Sequence, residues 1–396
     1  MSGFRMVSRV IAFLKMAVLA RILTPAQFGV YGIATLVMAL LEILTETGIN
    51  IVLIQSKEQI DDYNDSAWVV SIIRGIFIAL CLVLLTPFIA SFFNVPNATG
   101  ILYLIAAVPF IRGFINPAEV KLQKDLKFNY EFWFRTSIFA FDAMVAVIAV
   151  ILTHSVYSLV WGLIAGALLE VIISFALMRP IPKFCIKRDY FNEIFHKGKW
   201  ITLIGIFDYI SENGDNFTVG KVMGAASLGI YEMAYNISTL PISEITDVVN
   251  KVVFPVYTKI TEDKERLLSV FKKSTLFIAA LTILMGGVIF FFPSQLILIV
   301  LGPNWLPAVP VLKVLAIYGV LRAILGSPAN LFLGLEKQRY VSNTTFVRFA
   351  ALAITIYPLV RWYGIVGAGY SALISVLFEF PLIVYYFFKI FYNSKS

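Results

Sequence analysis

Residues 21–34 read Arg-Ile-Leu-Thr-Pro-Ala-Gln-Phe-Gly-Val-Tyr-Gly-Ile-Ala, and residues 221–234 read Lys-Val-Met-Gly-Ala-Ala-Ser-Leu-Gly-Ile-Tyr-Glu-Met-Ala. The two stretches align without a gap at an offset of 200, with Ala26, Gly29, Tyr31 and Ala34 recurring as Ala226, Gly229, Tyr231 and Ala234. Further on, Arg112, Pro117 and Arg135 are echoed in order by Arg322, Pro328 and Arg348. Two matches in the same order point to a duplicated chain.

What is duplicated is set by composition. Of 396 residues, 59% are hydrophobic and 14% charged, with 34 Phe and 18 Tyr. A soluble domain carries about 25% charge. The mean hydropathy of +0.85 spreads the apolar excess over the whole length. This excludes a soluble enzyme, a disordered chain and a single-pass receptor, and leaves an all-α polytopic membrane protein.

Crossing about 30 Å of hydrocarbon takes roughly 20 residues. The sequence predicts twelve spans, near 4–23, 28–54, 67–92, 100–118, 131–152, 157–178, 199–220, 228–256, 271–292, 307–333, 340–360 and 364–388. Turn chemistry separates them, as at Thr24-Pro25 and Gly302-Pro303-Asn304. Pro241 predicts a kink in the eighth. Arg5, Arg9 and Lys15 interrupt the first apolar stretch, which therefore does not read as a cleaved signal.

Lys and Arg crowd the segments on one side: 121–127, 179–199, 259–273 and 337–339. The opposite side holds Arg21, Lys221 and Arg361. That asymmetry predicts both termini in the cytoplasm. It also explains the net charge of +8 without nucleic-acid binding. The longest loop, 179–199, divides an N-terminal six-helix bundle (1–178) from a C-terminal one (200–396). Six spans per repeat imply a pseudo-two-fold axis along the membrane normal with a cavity between halves, an arrangement most used for alternating access.

Charges inside spans carry the functional signal, because each costs roughly 2.5–3.5 kcal/mol at the bilayer centre. Arg74, Arg112, Arg135, Arg322 and Arg348 fall in the cytoplasmic parts of their spans. They read either as side chains snorkelling to headgroups or as a cationic vestibule whose guanidinium forks suit phosphate oxygens. Asp208, Glu212 and Asp215 share one predicted helix face, as do Glu42 and Glu46. Such stripes serve either helix packing or proton or cation coupling. Lys15 aligns with Asp215 at the offset of 200, so the two are expected to pair across the cavity. Cys81 and Cys185 are far apart and His154 and His196 are the only histidines, so neither a disulfide framework nor a metal site is expected.

The phrase from Ala20 to Tyr31 resembles the signature of the oligosaccharide flippases, the Wzx-type polysaccharide transporters of the multidrug/oligosaccharidyl-lipid/polysaccharide exporter superfamily. Thr47-Gly48-Ile49 with Gln55, Val219 to Asn236, Lys251 to Tyr257 and Gly302 to Leu312 are similar to it as well. Members usually carry several more residues before the first span. The resemblance implies a V-shaped, MATE-like pair of six-helix bundles that moves an undecaprenyl-pyrophosphate-type glycolipid to the outer leaflet of the cytoplasmic membrane. It implies no catalytic residue, no cofactor and no metal. The partners it implies are that glycolipid, membrane lipids and polysaccharide assembly enzymes, around a monomer.

On this reading Arg112, Arg322 and Arg348, with Arg74 and Lys15 next, contact the diphosphate. Glu42, Asp208 and Asp215 are the candidates for ion coupling, and Tyr31 and Tyr231 for stacking on sugars. The rival readings are a multidrug/cation antiporter of the same superfamily, which would use Glu42, Glu46 and Asp208, and a polysaccharide polymerase or ligase. The predicted outward loop at 293–306 has no charged residue to serve the latter.

Overall fold

The computed structural model describes residues 2–45, 60–185 and 188–391. The described chain is helices and turns, with no strand among these residues. The helices are α1 (Ser2–Ile22), α2 (Pro25–Leu44), α3 (Ile60–Phe92), α4 (Pro96–Arg112), α5 (Pro117–Lys124), α6 (Phe128–Thr153) and α7 (Tyr157–Leu177). After them come α8 (Arg188–Met223), α9 (Ala225–Lys259), α10 (Lys264–Phe291), α11 (Pro293–Val300), α12 (Val309–Gly334) and α13 (Gln338–Phe391). Seven of the helices are long and apolar enough to cross a membrane, and the bent pair α4–α5 makes an eighth. The remaining long helices, α1, α8 and α9, cover three predicted spans but fall outside that group. Large apolar side chains face outward along these helices, among them Leu84, Phe88, Leu276, Phe291, Ile354 and Trp362. Exposed apolar surface on that scale is stable against lipid and not against water.

Local chemistry sets where helices stop, and the stops repeat. Thr24 caps α2 in a box with Gln27, with Pro25 at the first helical position. Gly224, 200 residues on and at φ +82°, separates α8 from α9. Leu126 and Glu336, 210 residues apart, both adopt left-handed φ, at 56° and 57°. Around them Lys127 N–H donates to the Leu122 carbonyl and Lys337 N–H to Phe332, each at 2.8 Å, which is the six-to-one bond of a Schellman ending. His154 (φ 51°) ends α6, and Gly364 (φ 61°, ψ −141°) breaks α13 at the equivalent place. The last two predicted spans are the arms of α13 on either side of Gly364, a backbone conformation reserved for glycine.

One predicted span is corrected. Residues 100–118 are not one straight crossing, because α4 and α5 meet at a 70° bend. Asn116 causes it. Its side chain caps the following turn by accepting from Ala118 N–H at 3.0 Å, and Pro117 has no N–H with which to continue α4. The predicted span 28–54 is helical through Leu44, and residues 46–59 lie outside the described set. Pro241 lies inside α9, as does Pro255.

Contacts divide the chain into two units: Met1–Asn213 with Gly224–Ala226, and Gly214–Met223 with Ser227–Ser396. In the first, α6 packs along both α7 and α1, and α4 packs on α3 and α7. Gly75 and Gly113 make the α3–α4 crossing close. A Cβ on Gly75 would lie 2.6 Å from the Pro109 carbonyl oxygen and 3.0 Å from Gly113 Cα. In the second unit α12 packs along α10 and α13. Hydroxyl pairs tie its helices, Thr275 to Ser327 at 2.8 Å and Tyr257 to Ser274 at 3.0 Å.

Lys15 on α1 donates to Asp142 Oδ1 on α6 at 2.7 Å, both side chains nearly buried. This corrects the expected pairing with Asp215: the partner of Lys15 is Asp142, 127 residues away in its own unit. Gly162 on α7 leaves room for that carboxylate, since a Cβ there would meet Asp142 Oδ1 at 2.5 Å.

Two consequences are measurable by denaturant titration of purified protein. Lys15→Met should cost about 3–5 kcal/mol by stranding Asp142, and the double variant Lys15→Met/Asp142→Leu should recover most of it. A double variant no more stable than the single would mean the pair does not join α1 to α6. Gly75→Val should cost at least about 1–3 kcal/mol, because the obstructing atoms are backbone; an unchanged transition would refute the close crossing.

Candidate substrate site

In the first unit the bend at Asn116 organises the charged groups. Asn116 N–H donates to Ser174 Oγ at 3.1 Å, and its side-chain amide donates to the Pro180 carbonyl at 3.0 Å. Asn64 donates to that carbonyl too, at 3.2 Å, and Trp68 Nε1 donates to the Phe114 carbonyl at 3.1 Å. The break is therefore satisfied from α3 and α7, as backbone at membrane depth must be. Arg112 ends α4 on one side of it, and Glu119 follows on the other.

A cavity of about 260 Å³ opens here, lined by Glu42, Ser71, Arg74, Arg112 and Glu119 among others. Arg112 Nε lies 3.6 Å from Glu170 Oε2, and its Nη1 lies 4.0 Å from Glu42 Oε1. Arg74 donates to the Glu42 carbonyl at 2.6 Å and to Thr45 Oγ1 at 3.2 Å. Arg135 pairs with Glu131 at 3.0 Å, one helical turn away. Glu119 Oε2 is buried with no hydrogen-bond partner. Glu170, Arg135, Glu131 and Arg112 all act on it electrostatically. The guanidinium groups of Arg112 and Arg135 thus lie beside carboxylates rather than in a purely cationic patch.

In the second unit Arg322 Nη1 donates to the hydroxyls of Tyr318 at 2.8 Å and Tyr235 at 3.0 Å. Its guanidinium lies 5.8 Å from the centre of the Tyr318 ring. Tyr231, fully buried, donates to Asp215 Oδ2 at 2.7 Å. Arg348 pairs with Glu379 at 3.4 Å across the two arms of α13.

The predicted site residues therefore separate. Arg112, Arg74 and Glu42 line one cavity, while Arg348 and Lys15 are each held by a carboxylate. Asp208, Glu212 and Asp215 do not share one environment: Asp208 and Glu212 are exposed and Asp215 is buried. Tyr31 is partly buried, and Glu46 lies outside the described residues. Sequence reading missed Glu119, Glu170, Asp142 and Asn116. Glu170 is the one charged residue of α7, whereas Glu119 is followed by Lys121 and Asp142 shares α6 with Glu131 and Arg135.

Comparisons with known proteins place this geometry. Residues 18–310 match the family model described as polysaccharide biosynthesis protein. A membrane protein of the cps region of Klebsiella pneumoniae is 27% identical over 393 residues, covering 96% of this chain and 78% of its own. The lipopolysaccharide biosynthesis protein WzxC of Escherichia coli K12 is 25% identical over 333 residues, covering 80% of this chain and 65% of its own. Against these two relatives the chain spans 65% to 78% of their length. Among solved structures, the lipid II flippase MurJ in an inward closed conformation superposes with a TM-score of 0.77 at 13% identity, over 99% of this chain and 90% of that one. An inward-facing multidrug resistance MATE transporter gives 0.74 at 14% identity, over 98% and 96%. The fold is that of these transporters, and the chain belongs to the polysaccharide biosynthesis protein family of multi-pass membrane proteins.

Proposed function

We propose that this protein is an alternating-access flippase that carries a lipid-pyrophosphate-linked oligosaccharide from the cytoplasmic to the outer leaflet of the cytoplasmic membrane. A sugar-diphosphate head cannot enter hydrocarbon unaided, whereas a polyprenyl tail can stay in it. The chain would comprise two six-helix repeats, 1–178 and 200–396, joined by the basic 179–199 linker. Both termini face the cytoplasm, as the Lys and Arg distribution favours.

The observation that carries the reading is the register of Arg112 and Arg322. Each precedes the left-handed residue of the same Schellman turn, Leu126 or Glu336, by 14 positions. In a duplicated transporter, equivalent arginines in both repeats fit a ligand with two phosphates. Arg322, oriented by the phenol hydroxyls of Tyr235 and Tyr318, serves as a diphosphate ligand in the second unit. Arg348, Arg74 and Lys15 keep secondary roles, as their protein partners must first be exchanged. Ion coupling is assigned to Glu42, Asp208 and Asp215. A cation antiporter of the same fold draws support from the carboxylates Glu42, Glu119 and Glu170 in the first unit.

Deleting the protein should make lipid-linked oligosaccharide accumulate facing the cytoplasm, measured by accessibility of the glycan in inverted vesicles. Glycan reaching the outer face at the normal rate would refute the flippase. Normal surface glycan with new sensitivity to cationic dyes would establish the antiporter instead. Arg322→Ala should cut export at least about tenfold with insertion unchanged, and Arg322→Lys should restore part of it. Full export in Arg322→Ala would remove Arg322 from substrate recognition.

A further inference from the structure

We infer that Glu170 is the positioning residue of Arg112: it holds the Nε side of the guanidinium and so presents the Nη end to the cavity as an anion ligand. The inference rests on the reading of Arg112 as a phosphate ligand and adds the group that aims it.

Glu170 is the one charged residue of α7. An acid inside a span is costly unless it is matched or used. Its ion-pair partner is Arg112 Nε, at 3.6 Å. Arg112 lines the cavity, and Glu170 is not among the described residues that do. The Glu170 side chain is 15% exposed against 41% for Arg112. A carboxylate behind the arginine and outside the cavity acts on a ligand only through the arginine.

Register on α7 makes the contact specific. Ser174, four residues after Glu170, accepts from Asn116 N–H at 3.1 Å, and Asn116 lies four residues after Arg112. One face of α7 therefore meets both the guanidinium and the break that ends α4. The other end of the guanidinium points to the cavity side, where Nη1 lies 4.0 Å from the lining residue Glu42. Arginine binds phosphate best through two parallel N–H bonds, so the direction of its planar fork counts as well as its charge. With Nε turned to α7, the Nη edge is the one offered to a phosphate, and Glu42 is the acid that the phosphate displaces.

The test measures pyrophosphate binding by calorimetry on the purified full chain in lipid nanodiscs. An Arg322→Ala background removes the second unit's arginine, and Arg112→Ala should abolish the binding that remains. Glu170→Leu should weaken binding about tenfold or more, as loss of a preorganising contact does. Glu170→Gln keeps a carbonyl oxygen for Nε and should retain most of the affinity. Glu42→Gln, which removes a competitor, should tighten it. If thermal melts show that Glu170→Leu does not fold, Glu170→Asp takes its place: the charge stays, the carboxylate draws back, and binding should weaken. Were Glu170 merely a neutralising charge, Leu and Gln would both tighten binding and Asp would leave it unchanged. That pattern, or binding indifferent to Arg112, or no pyrophosphate binding at all, would overturn the inference. The expected order of affinities beside normal export on deletion would refute the flippase and leave the positioning role standing; an export defect with the neutralising pattern would do the reverse.

Discussion

Hydrocarbon cannot solvate a charge, and that constraint shapes most of this molecule. A lone Lys, Arg or Asp at the bilayer centre costs several kcal/mol, and four of the cations within the helices are matched to acids. Lys15 meets Asp142, Arg112 meets Glu170, Arg135 meets Glu131 and Arg348 meets Glu379. Most of these pairs also join segments: α1 to α6, α4 to α7, and one arm of α13 to the other. The same side chains that would be a liability in lipid thus help to fix the packing of each unit.

The break at Asn116 extends the argument from side chains to backbone. Ending α4 inside the unit frees carbonyl and amide groups, and Asn116, Ser174 and Trp68 supply partners for them. The outcome is a turn rigid enough to hold Arg112 and Glu119 at the wall of one cavity. The second repeat has no such interruption. Its helix α12 runs through Pro328, and Arg322 is steadied by Tyr235 and Tyr318 instead. Duplication supplied equivalent arginines, and the surroundings then made them chemically different.

Much of the architecture was legible in the sequence because span length, turn residues and repeats are local signals. Thr24-Pro25, Gly224 and Gly364 stand where helices end or break, and the offset between repeats reappears in the left-handed turns at Leu126 and Glu336. Pairing across helices was not legible. Nothing local tells Lys15 that its partner is Asp142 rather than Asp215, and helical periodicity put Asp208 and Asp215 on one face although their surroundings differ. Glu170, which tempers Arg112, is the one charged residue of α7, so no spacing rule draws attention to it. Asn116 could have been read as a cap before Pro117, but its place inside an apolar stretch argued for a continuous span.

The central proposal is that Arg112 in the first unit and Arg322 in the second each face water rather than surrounding lipid. Cysteines placed at Ser71 and Tyr318, in a background with Cys81 and Cys185 replaced, report this directly through labelling by a charged, membrane-impermeant thiol reagent. The account predicts that both positions label, and that lipid-linked oligosaccharide protects them. Labelling by lipophilic reagents alone, unaffected by the glycolipid, would contradict it.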